Sequence, residues 1–116
     1  SIALASSSGI GWIRPFLEQH DLVGYFDVLT TADDVARVKP DPELYVKSLE
    51  RLGIAGEEAV AFEDSVNGSN AAKAAGVHCV IVPNRVTSHM AFERYDLRIA
   101  SMDAMPLQQV LAHFNP

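Results

Sequence analysis

Short apolar runs alternate with stretches of helical spacing along this chain, an order that few architectures accommodate. Residues 2–5 read as a strand, as do Val28-Leu29-Thr30, residues 59–62, residues 77–82 and residues 97–100. Between the first two runs, Trp12, Ile13, Phe16, Leu17 and His20 predict a helix over residues 12–20, with Pro15 expected near the first turn, where a missing N–H is tolerated. Thr31 to Arg37 predicts a brief helical turn. Residues 38–42, Val-Lys-Pro-Asp-Pro, predict an extended loop, because each proline pushes the residue before it out of the helical region. Leu44, Tyr45, Ser48, Leu49 and Leu52 mark the inner face of a helix that opens at Pro42 and is closed by Gly53. A helix of small residues, Ala71 to Ala75, follows Asn67-Gly68-Ser69-Asn70 and ends at Gly76, and Leu107, Val110, Leu111 and Phe114 mark a last helix. Strands alternating with helices predict an α/β fold with a parallel sheet and helices on both faces.

In such a sheet, ligands gather beyond the C-terminal ends of the strands. Three polar clusters fall there or in the adjoining loops. Ser6-Ser7-Ser8-Gly9 follows the first strand, so small residues leave backbone N–H groups and hydroxyls able to meet an anion; the bland reading is a βα loop with a serine cap. Lys39 sits in the proline-stiffened loop, where a compact ammonium can neutralise a phosphate; the bland reading is a surface lysine. Glu63 and Asp64 follow the apolar run 59–62. Adjacent carboxylates repel and call for a cation, and hard oxygen ligands favour Mg²⁺; the bland reading is a solvated turn with a capping Asp. None of these decides the matter alone. Their order along the chain and their shared edge do.

The chain has 116 residues, enough for one small domain, and 48% of them are hydrophobic, enough to pack a core. A net charge of −6 argues against a nucleic-acid partner, which needs a basic face. A small phosphate ester needs only a few placed donors. The single cysteine, Cys79, excludes an internal disulfide and reads as a buried thiol, which fits a reducing, cytoplasmic setting. No apolar run approaches the roughly 18 residues of a membrane span, and Ser1 to Ala5 lacks the basic residues of a signal peptide.

Taken together, residues 2–8, Gly24-Tyr25-Phe26-Asp27, the Lys39 loop, and Phe62-Glu63-Asp64-Ser65 with Gly68, Ala71, Ala72, Ala75, Gly76 and Val77 resemble the haloacid dehalogenase superfamily, in the branch holding sugar-phosphate phosphatases and β-phosphoglucomutase. The resemblance runs to about Asn84 and implies a Rossmann-like three-layer sandwich around a parallel sheet. It implies that Ser6 hydrogen-bonds a transferring phosphoryl oxygen, that Ser7 adds a backbone amide, and that Ser8 touches substrate. It makes Lys39 the cation bridging phosphate and nucleophile, and Glu63 and Asp64 the Mg²⁺ carboxylates. Arg85 is a further substrate contact or a plain surface arginine.

The family's spaced aspartate pair, whose first member takes the phosphoryl group, is absent from these residues; Asp33-Asp34 is adjacent rather than spaced. Residues 1–116 are therefore expected to be the C-terminal portion of a core domain, with the first strand and the helical cap domain lying upstream, and with a sheet gapped at its centre. The function expected of the whole is hydrolysis of a small phosphorylated metabolite through an aspartyl-phosphate. A phosphomutase, a non-catalytic binding piece and a receiver-like signalling domain stand as alternatives.

Overall fold

A computed structural model describes residues 1–114; Asn115 and Pro116, inside the expected domain, lie outside the described residues. Five strands and four α-helices follow in the order β1 (Ala3–Ala5), α1 (Ile10–Gln19), β2 (Val28–Thr30), α2 (Glu43–Leu52), β3 (Val60–Glu63), α3 (Val66–Ala74), β4 (His78–Ile81), β5 (Leu97–Arg98) and α4 (Leu107–Phe114). Every strand pairing is parallel. The strands nevertheless form two sheets: β1 pairs with β2, while β3, β4 and β5 form a second set in that order. No ladder joins β1 to β3.

The pleat sorts side chains onto two layers. Ala61, Cys79 and Ile81 face Ala72 and Val77, with Tyr45 and Leu49 of α2 packed on that cluster. Val80 instead joins Ile99 and Val110, backed by Val60, Phe62 and Phe114. Helices α2 and α3 thus cover one face of the second sheet and α4 the other, which is the expected three-layer arrangement. Helix α2 also packs on β1 and β2. Arg51 reinforces that contact, donating to Leu29 O at 2.9 Å and pairing with Asp34 Oδ1 at 3.1 Å.

Two expectations need correction. Pro15 lies in the middle of α1, not at its first turn; the carbonyl it leaves without an N–H is that of exposed Gly11, which water can serve. The Lys39 loop is a turn rather than an extended segment, since the Asp41 N–H donates to Val38 O at 3.1 Å. The brief helical turn expected between Thr31 and Arg37 is present as a 3₁₀ turn, Ala32–Asp34. Its Asp33 reaches across to accept the Ile10 N–H at 2.6 Å, so the start of α1 is capped from a distant loop and not by a serine.

Candidate active site

The serine loop, the lysine turn and the acidic pair meet at one end of the molecule. Ser6 follows β1, held by its N–H donating to Thr30 O at 2.9 Å, and its Oγ accepts the Ser8 N–H at 3.1 Å. That bond folds the loop back and exposes Ser7 and Ser8. Ser7 Oγ accepts the backbone N–H of Lys39 at 3.3 Å, which ties the serine loop to the lysine turn. The Lys39 ammonium crosses to Glu63 Oε1.

Glu63 is the last residue of β3 and not the first of a loop. It pairs in register with Ile81, and the two-residue pleat period places its side chain on the same face as Ala61, toward α2. It is only 8% exposed. Its Oε1 also accepts the Tyr45 hydroxyl at 2.5 Å, and the Lys39 Nζ stands 5.2 Å from the Tyr45 ring centroid, over its face. On the other side, a Cβ placed on Gly68 would overlap Glu63 Oε2, so the carboxylate fills the space a side chain would take. Burial, and then the Glu63 charge, push the Tyr45 phenol far above its ordinary range, so it acts as a neutral donor.

Asp64, one residue on and past the end of β3, is exposed. Its Oδ2 accepts the Asn84 amide at 3.2 Å. Asn84 is itself braced: its Oδ1 accepts the N–H groups of Val86 and Thr87 at 2.8 and 2.9 Å, and its own N–H donates to Thr87 Oγ1 at 2.9 Å. Ser65 caps α3, its Oγ accepting the Gly68 N–H at 3.0 Å, which fixes the turn between the acids and the helix.

Below this end runs a cleft of about 640 Å³. Its long walls are β1, through Ala3, Leu4 and Ala5, and β3, through Val60 to Glu63; Lys39, Tyr45 and Glu63 close one end. β1 and β3 thus border the cleft without sharing a ladder.

These contacts join Ser7, Lys39 and Glu63, with Ser6 and Ser8 adjoining through the loop and Asp64 next to Glu63 in the chain. Arg85 makes no contact with them that the hydrogen bonds or ion pairs record. Sequence reading missed Tyr45 and Asn84. Tyr45 stood at an inward helical position and passed for core. Asn84, following Pro83 at the end of β4, carried the signal of a polar turn at the ligand-binding edge. Two carboxylates are the acidic complement here, for no cluster of three or more His, Cys, Asp or Glu side chains occurs among the described residues.

The parallel strands of this α/β fold thus bring hydroxyls, an ammonium and two carboxylates to one end of the molecule. A family profile for haloacid dehalogenase-like hydrolases matches residues 1–82, and the chain belongs to that family; the receiver-like alternative falls with this result. YhcW of Bacillus subtilis (strain 168) is 54% identical over 114 residues, covering 98% of this chain and 52% of YhcW. Hexitol phosphatase B of Escherichia coli (strain K12) is 32% identical over 111 residues, covering 95% of this chain and 50% of the enzyme. The crystal structure of CbbY from Rhodobacter sphaeroides in complex with phosphate superposes with a TM-score of 0.79 at 35% identity, over 85% of this chain and 45% of CbbY. The chain spans about half the length of the relatives it matches.

Proposed function

We propose that the protein carrying this chain is a Mg²⁺-dependent phosphatase that hydrolyses a small phosphate monoester of the sugar-phosphate type. The observation that carries the reading is the contact path Ser7–Lys39–Glu63, continued by Asp64, at the strand ends of a chain in this hydrolase family. Phosphoryl transfer asks the protein mainly to position groups and neutralise charge. In this reading the Ser6 hydroxyl and the Ser7 amide hold phosphoryl oxygens, Ser8 borders the substrate, and Lys39 supplies a positive charge between phosphate and nucleophile.

The donor set fits Mg²⁺. That ion takes one or two carboxylates and completes its octahedron with water and substrate oxygens, and Glu63 and Asp64 are adjacent carboxylates at the site. Bound there, it would supply charge that offsets the phosphoryl oxygens. Buried Glu63, shared with Lys39 and Tyr45, and exposed Asp64, which accepts the Asn84 amide, are the residues that would hold it.

The nucleophile in this reading is an aspartate on a strand outside these residues, which attacks phosphorus in line to give an aspartyl-phosphate opened by water. The cleft supports that arrangement. Its walls are strand edges of β1 and β3, so a strand between them would gain ladder partners on both sides and point its end at Lys39 and Glu63. A cap domain upstream would choose the substrate. A reducing, cytoplasmic setting suits the buried thiol of Cys79, and no helix among the described residues is long and apolar enough to cross a membrane.

The test is phosphate release by the full-length protein from a panel of sugar phosphates with Mg²⁺. Release that stops on chelation and in the Asp64→Asn variant supports the reading. Return of an isomeric ester without net release makes the protein a mutase, and no turnover of any ester overturns the proposal.

A further inference from the structure

Tyr45 touches two candidate site groups that come from different parts of the chain. Its hydroxyl donates to Glu63 Oε1 on β3, and its ring lies beneath the Lys39 ammonium of the preceding turn. Tyr45 reaches both because it stands near the start of α2, whose inner face packs on the Ala61–Cys79 cluster and so holds the phenol rigidly. Opposite, Gly68 gives the Glu63 carboxylate a wall with no side chain. The carboxylate is therefore gripped from three sides: by Lys39, by Tyr45 and by the backbone of α3.

Without the phenol, the ammonium would be the principal donor to Glu63 Oε1. The lysine would then satisfy the carboxylate at the expense of any phosphate. A second, neutral donor on the same oxygen shares that task, and the ring face steadies the ammonium without competing for its charge.

We propose that Tyr45 is a positioning residue of this site: it fixes the Glu63 carboxylate and the Lys39 ammonium relative to each other, so that one faces a divalent cation while the other faces a phosphoryl group. The inference rests on the phosphatase reading above and adds a residue to it. Tyr45 touches neither substrate nor metal, so its effect passes through the two groups it holds. Groups of this kind at metal sites commonly alter affinity or rate by about 10–100-fold when removed.

The experiment uses the full-length protein with Tyr45→Phe, which keeps the ring and removes the hydroxyl, and Tyr45→Leu, which removes both. Exposed Tyr25→Phe serves as a hydroxyl control. Calorimetric titration with Mg²⁺ alone, steady-state hydrolysis and thermal melting are measured on each. Tyr45→Phe is expected to weaken Mg²⁺ binding and lower kcat by about 10-fold, with KM and the melting temperature little changed, and Tyr45→Leu to lower kcat further. Tyr25→Phe is expected to match wild type. Wild-type Mg²⁺ affinity and kcat in Tyr45→Phe overturn the inference, as does a loss of activity that only tracks a loss of stability. Should Tyr45→Leu fail to fold, the near-isosteric Tyr45→Phe decides alone. Lys39→Ala and Asp64→Asn run in the same assay separate the two claims. If they lose turnover and Tyr45→Phe does not, only this inference fails; if they retain it, the phosphatase reading fails and takes the inference with it.

Discussion

Gly68 has no room for a side chain because the Glu63 carboxylate occupies the place where its Cβ would stand. The first turn of helix α3 therefore carries a residue whose smallness serves the strand before it. Gly68→Ala is expected to expel Glu63 from its contacts with Lys39 and Tyr45. Mg²⁺ affinity in the full-length protein should fall by about 10–100-fold, as for other groups that orient a metal ligand, even though alanine is the better helix former. Unchanged metal affinity, measured by calorimetry, would contradict the geometry.

Lys39→Ala and Asp64→Asn are each expected to lower kcat of the intact protein by about 10²–10³-fold, the usual cost of one preorganised electrostatic contact. They should differ in stability. Lys39→Ala strips the partner from a carboxylate that is 8% exposed, and breaking a buried pair from one side costs about 3–5 kcal/mol. Asp64 is exposed, so Asp64→Asn should melt near wild type. Chemical denaturation of both variants checks the contrast.

Asp96 stabilises the fold in a pH-dependent way. Partial burial works to raise its pKa, but the hydrogen bond from Lys73, the Cys79 N–H and the Lys73 charge outweigh it, so the carboxyl stays below the usual carboxylate value. A folded-state value below the unfolded one gives stability that is complete above about pH 4, the unfolded range, and is lost as pH falls through the folded value. Denaturant titrations of wild type and Asp96→Asn should thus diverge near neutrality and converge in acid. A gap independent of pH would remove the ionic contribution.

Cys79 is fully buried, and burial, then the charges of Glu63 and Asp96, push its thiol up to about 12. Since the thiolate is the reactive form, native protein at pH 8 should resist alkylation at this position. Peptide mass spectrometry is expected to find Cys79 modified only in step with unfolding. Rapid native-state labelling would place it outside the core.

The two sheets separated by the cleft predict low stability for residues 1–116 alone, because β1 and β3 each leave one edge without a ladder. Amide exchange in the isolated chain should be fast at β1 and slowest at β4, which is paired on both sides. A sharp, high-temperature melt with uniform protection would contradict this.

Much of this was legible in the residues. Strand and helix order followed from apolar spacing, and the serine, lysine and acidic clusters fell at strand ends as expected. Ends of elements were less readable: β3 keeps Glu63 because its backbone pairs with Ile81, a partner that no local pattern reveals. Counting the pleat from buried Ala61 would have turned Glu63 inward and Asp64 outward, yet it would not have named Tyr45 as the donor. That contact depends on the register of α2 over a strand that follows it, set by packing in three dimensions. The turn at Lys39 likewise depends on a hydrogen bond between Val38 and Asp41 that proline preferences alone do not disclose.

The separation of β1 from β3 also bears on how such a sheet is made. Ala3 and Val60 lie half a chain apart, yet they border the same slot. Anything that bridges β1 and β3 must join parts of the chain far apart in sequence, the kind of contact that forms late and slowly. Until such contacts form, β1 and β3 each keep one edge without a ladder, where unpaired backbone invites aggregation.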